Sequence, residues 1–71
     1  MTHEQLIDLA KVFIAEKHPE WQSELSYQPI VEDKGAHWEI SFELPELTLG
    51  GVPVVEIDKA LKRVTQAYHT Q

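Results

Sequence analysis

The stretch His37-Trp38-Glu39-Ile40-Ser41-Phe42-Glu43-Leu44 alternates without a break. Trp38, Ile40, Phe42 and Leu44 share one side of an extended chain, and His37, Glu39, Ser41 and Glu43 share the other, because successive strand side chains point to opposite faces. A helix would scatter the four apolar groups around its circumference. The pattern therefore predicts a strand over 37–44 in a sheet that buries one face and turns the other to water or to a partner. The rest of the 71-residue chain has to supply the cover for the apolar face.

One segment is suited to that task. Residues 4–17 place Leu6, Leu9, Ala10, Phe13, Ile14 and Lys17 on one side at 100° per residue, and Glu4, Asp8, Lys11 and Ala15 on the other. Thr2 is a natural N-cap, with Gln5 three residues on as a capping box requires. Lys17 and His18 favour the C-terminal end of the helix dipole, and Pro19 ends the helix by biasing His18 away from αR. Residues 19–24 read as a connection with room for one helical turn, from which Trp21 caps the core. Leu25–Val31 reads as a strand that Pro29 confines to an edge, and Glu32-Asp33-Lys34-Gly35 as a turn. Residues 45–51 read as a loop ending in Gly50-Gly51. Val52–Ile57 reads as a strand whose Val54-Val55 pair leaves its faces unassigned. Asp58–Lys62 reads as a turn with Asp58 bonded to its own backbone two residues on, and Arg63–His69 as a last strand. Short connections make neighbouring strands antiparallel. The expected fold is one α+β domain over residues 1–71, with an N-terminal helix packed on a three- to four-stranded antiparallel sheet.

Length and composition narrow the function. A 71-residue chain buries only about 60% of the surface it exposes when unfolded, which leaves a thin core, little volume for a catalytic cavity and an expected stability of roughly 3–5 kcal/mol. There is no Cys, hence no disulfide framework and no thiolate metal site, which favours a reducing, cytoplasmic setting. No apolar run approaches a membrane span, and Met1-Thr2-His3-Glu4 is not the opening of a signal peptide. The net charge of −6 argues against nucleic acid, whose phosphates demand a basic face. Residues 1–58 hold all twelve acids against Lys11, Lys17 and Lys34, a balance of −9, whereas 59–71 carry Lys59, Lys62 and Arg63 and no acid. The basic tail is expected to pair with acidic strands of its own fold.

No catalytic constellation emerges. There is no nucleophile motif, and Gly50-Gly51 has no following helix to hold a phosphate. Asp58 and Tyr68 are the one pair worth weighing for acid–base work, and Asp58 has a turn to cap. His37 and Glu39, two residues apart on one strand face, can both reach one cation, but His69 would have to bring a third ligand from the last strand. Neither a metal nor a cofactor is expected, and the chain reads as a non-enzymatic one. The better candidate is the polar sheet face itself. His37, Glu39, Ser41 and Glu43, with Glu56 on a neighbouring strand, form an acidic patch suited to a basic protein partner. An open sheet on a thin domain also suits a homodimer.

Several of these features occur together in a known family. Trp38-Glu39-Ile40, then Gly50-Gly51-Val52-Pro53, then Ile57-Asp58-Lys59, resemble the small bacterial immunity proteins of polymorphic toxin systems, which have a nuclear transport factor 2-like fold. The likeness runs over roughly residues 4–69 and places Val64, Tyr68 and His69 in the last strand. It implies structural roles for Trp38, Gly50, Gly51, Pro53, Asp58 and Lys59, and a function of binding and neutralising a cognate toxin, with no catalytic residues. Where that family carries a Thr-Gly pair after Asp-Lys, this chain has Ala60-Leu61-Lys62, which permits a longer turn or a short helical turn. Similar strand and turn patterns occur in PepSY-like domains, and a small cystatin-like or nuclear transport factor 2-like binding domain is a further alternative. The alternative reading is therefore a small ligand-binding or peptidase-inhibitory module.

Overall fold

The computed structural model describes residues 1–43 and 51–70. Helix α1 spans His3–Lys17 and is followed by a 3-10 helix over Pro19–Ser26. Four strands come next: β1 Gln28–Asp33, β2 His37–Glu43, β3 Pro53–Asp58 and β4 Arg63–His69. They form one antiparallel sheet in the order β1-β2-β3-β4. The α+β architecture is the one the residue pattern predicts, with all four strands present.

The start of α1 is fixed locally. The Thr2 hydroxyl accepts the Gln5 amide at 3.1 Å, and the Gln5 side chain accepts the Thr2 amide at 2.9 Å, so the capping box closes in both directions. Leu6, Ala10 and Ile14 are fully buried, one above the other on the face turned to the sheet. Complete burial of Leu6 and Ile14 contributes about 1.5–3 kcal/mol each. They pack with Ile40, Phe42, Val55 and Ile57 from the two central strands. The stripe is narrower than the helical spacing suggests. Ile7 and Leu9 pack at its margins, Lys17 is exposed, and Phe13 sits half-buried at the rim, tilted against the His18 ring at 6.3 Å.

The connection after α1 is longer and more ordered than a single turn. Pro19 opens the 3-10 helix and Leu25 lies inside it, so β1 begins at Gln28 rather than at residue 25. Trp21 packs against the core as expected and also stacks on His18, with centroids 4.0 Å apart and planes at 7°. Pro29 falls in β1, an edge strand paired only with β2.

The turns are built from named side chains. Glu32 and Asp33 belong to β1, and the reversal occurs at Gly35-Ala36. Gly35 takes φ +96°, a conformation that favours glycine, and its amide donates to Asp33 Oδ1 at 2.8 Å. Between β3 and β4, Asp58 Oδ1 accepts the Leu61 amide at 2.8 Å, three residues on rather than two, and Lys62 sits at φ 54°. Residues 59–62 thus make the longer turn. The expected loop 45–51 lies outside the described residues except for Gly51.

Register settles what adjacency in sequence leaves open. Ile57 lies opposite Trp38 and Val55 opposite Ile40, so Pro53, Val55 and Ile57 face α1 while Val54, Glu56 and Asp58 face away. In β4 the register shifts by one between Glu56 and Ile57 of β3, leaving Thr65 as the extra residue of a bulge. Val64 and Ala67 are three apart and would otherwise point to opposite faces. The bulge lets both pack toward the core.

Candidate functional site: the sheet face turned away from the helix

Strand pairing organises the face turned away from α1 into rungs. Ile30, Ser41, Val54 and Tyr68 form one, and Glu32, Glu39, Glu56 and Gln66 the next. Beyond these stand Gln28 opposite Glu43 at one end, and His37, Asp58 and Arg63 at the other. All five residues singled out in the sequence, His37, Glu39, Ser41, Glu43 and Glu56, therefore share this face.

The face is not uniformly polar. Val54 and Ser41 are buried, and Ile30 and Tyr68 are half-buried beside them. Alternation in β2 reveals only the polar members of this rung. The apolar ones come from β1, β3 and β4 and become visible only once register is known. The Ser41 hydroxyl donates to Glu43 Oε2 at 2.7 Å, which aims that carboxylate along the strand.

The glutamate rung concentrates negative charge. Glu39 stands between Glu32 and Glu56, with like charges directly opposite on both sides. Lys34 Nζ lies 3.7 Å from Glu32 Oε1 at the edge of the rung. Among the described residues no lysine or arginine pairs with Glu39 or Glu56; His37 Nε2 lies 3.6 Å from Glu56 Oε1. Tyr68 registers the local potential. Its hydroxyl is held above the ordinary 10.0, first by partial burial and then by the charges of Glu39 and Glu56, with Lys34 acting the other way.

Other sequence candidates are dispersed. Tyr68 is opposite Val54, and Asp58 is four residues further along β3, about 13 Å away. Asp58 caps its turn, so the two form no acid–base pair. His69 lies on the helix side, opposite Pro53, with Nε2 2.8 Å from Glu24 Oε2 and Nδ1 3.0 Å from the Thr70 carbonyl. It cannot share a ligand set with His37 and Glu39 across the sheet. This contact ties the 3-10 helix to β4 over 45 residues of sequence, and nothing local in the sequence announces it. Of the basic tail, Lys59 reaches back into the fold: its ammonium is 2.6 Å from Asp33 Oδ1 and 5.4 Å from the Trp38 ring centroid. Gly50 lies outside the described residues.

No helix among the described residues is long and apolar enough to cross a membrane. Comparison with known proteins returns no matching family model, no matching curated protein and no matching solved structure.

Proposed function

We propose that this chain is a non-enzymatic interaction domain that presents the face of its sheet turned away from α1 to a basic protein partner. The observation that carries the reading is the rung Glu32, Glu39 and Glu56, with Asp58 beyond it on one side and, on the other, the rung of Ile30, Ser41, Val54 and Tyr68 and then Glu43. Val54 and Ser41 of that rung are already buried within the chain, so the half-buried Ile30 and Tyr68 and the acidic side chains around them are what a partner meets, an apolar patch with a polar rim. The acids there outnumber the cations Lys34 and Arg63, and a net negative field accelerates encounter with a partner of opposite charge. The resemblance of Trp38-Glu39-Ile40, Gly50-Gly51-Val52-Pro53 and Ile57-Asp58-Lys59 to immunity proteins of nuclear transport factor 2-like fold gives the partner a class. It is a bacterial toxin, met in the cytoplasm and neutralised by occlusion of its active site or substrate path. A toxin that acts on nucleic acid carries a basic cleft and suits the −9 balance of residues 1–58.

The test is co-expression with the toxic products of adjacent genes. Restored growth and a stable complex with one of them support the proposal, and their loss on charge reversal at Glu39 and Glu43 locates the interface. If no such product is bound or neutralised, the toxin reading fails.

A further inference from the structure

The face turned away from α1 also carries a group of side chains with the chemistry of a metal centre. His37, Glu39 and Glu56 each offer one ligand atom, and these atoms lie within 4.8 Å of one another. We infer that His37, Glu39 and Glu56 form a three-ligand site for a divalent first-row transition ion such as Zn2+. The inference concerns the isolated chain and does not rest on the partner reading.

Three observations carry it. The first is placement. β2 and β3 are the two interior strands, hydrogen-bonded on both sides, and all three residues project from them on the same face. Sites built on such elements hold their geometry better than sites on loops. The second is distance. Two ligands held at 2.0–2.2 Å by a tetrahedral ion stand about 3.3–3.6 Å apart. The 3.6 Å between His37 Nε2 and Glu56 Oε1 already meets that spacing. Rotation of the half-buried Glu39 side chain brings in the third oxygen.

The third observation is charge. Two carboxylates face each other with no lysine or arginine paired to either among the described residues, and Glu32 adds a further negative charge beside Glu39. A divalent ion compensates both carboxylates and converts an unfavourable cross-strand pair into a ligand set. One imidazole nitrogen and two carboxylate oxygens suit a borderline ion. Ca2+ and Mg2+ prefer all-oxygen shells of six or more ligands. The three protein ligands leave coordination positions for water. The sequence alone offers His69 as a third ligand and predicts no metal, because such sites need three or four convergent groups; register places Glu56 beside His37 and Glu39.

The experiment is calorimetric titration of Zn2+ into the purified metal-free chain, followed in parallel by NMR of the histidine ring nitrogens. The expected result is saturable binding of one ion per chain that equimolar Mg2+ does not displace. The His37 ring signals shift while those of His3, His18 and His69 stay in place. His37→Ala and Glu39→Gln each weaken binding by about tenfold or more, since removal of even an outer-shell partner commonly costs that much. Lack of saturable binding, an unchanged affinity in both variants, or shifts confined to other histidines would overturn the assignment. The ring signals of the unmodified chain decide the matter even if a variant fails to fold.

Discussion

Glu39 and Glu56 face each other across the two central strands, and among the described residues neither pairs with a lysine or arginine. Like charges directly opposite in an antiparallel pair are destabilising. A thin domain that retains such a pair at the middle of its sheet gives up stability at the place where its surface is most distinctive, as functional sites commonly do.

Glu39→Gln therefore stabilises the metal-free chain by about 0.2–1 kcal/mol at low ionic strength. The change is read as a rise in the urea midpoint with an unaltered slope. Added salt narrows the gap between variant and parent by screening the repulsion. A lower midpoint for the variant at low salt would show that Glu39 supports the fold rather than burdening it.

Tyr68 gives an independent reading of the same field. In a Tyr27→Phe background its phenol titrates above 10.0, because partial burial and the Glu39 and Glu56 charges oppose ionisation. A folded-state value raised above the unfolded one contributes stability that is full below the unfolded value and lost as pH rises through the folded one. Alkaline weakening of the fold should therefore include this group. Glu39→Gln with Glu56→Gln lowers the midpoint of the phenolate absorbance without returning it to the ordinary value, since burial remains. A midpoint unmoved by both substitutions would remove those carboxylates from the account.

The Asp33–Lys59 contact acts at the other end of the pH scale. The Lys59 ammonium, then the Gly35 amide, hold Asp33 below its ordinary 3.8. A depressed folded-state value contributes stability above the unfolded value that is lost as pH falls through the folded one. Asp33→Asn should thus be less stable than the parent at pH 7, with the difference closing below about pH 4. Paired urea melts at pH 7 and pH 3 measure it. A difference independent of pH would assign the loss to the turn hydrogen bond alone.

The core has little reserve. Phe42→Ala removes a fully buried ring from the contact between α1 and β2, at a cost of about 3–5 kcal/mol. That equals the whole stability expected at this length, so the variant should lack a cooperative thermal transition. A cooperative transition close to that of the parent would show that the core extends beyond the Leu6, Ala10, Ile14, Ile40, Phe42, Val55 and Ile57 cluster.

Much of this fold is legible in local sequence because local chemistry dictates it. Alternation over His37–Glu43 fixes a strand and its faces, Thr2 and Gln5 fix the start of α1, and Pro29 marks the edge strand. The remainder depends on register and long-range contact. Val54 and Val55 are chemically equal neighbours, and only pairing with Ser41 and Ile40 decides which faces the helix. The Thr65 bulge, which reconciles Val64 with Ala67, has no composition signal of its own. The candidate site divides the same way. His37, Glu39, Ser41 and Glu43 follow from period-two spacing. The placement of Glu56 opposite Glu39, and the removal of His69 to the far side with Glu24, come from strand order and the 3-10 helix.

The central claim is that the face of the sheet turned away from α1 binds a basic protein. Its most direct test is the association rate with any basic partner recovered by co-expression, measured at low and high salt for three chains. These are the parent, a double charge reversal at Glu39 and Glu43, and a double charge reversal at the exposed helix residues Asp8 and Glu16. The account predicts that reversal on the sheet slows association by about tenfold and flattens its salt dependence. Reversal on the helix should leave the face-specific part of the rate intact. Equal loss from both, or loss from the helix variant alone, would contradict it.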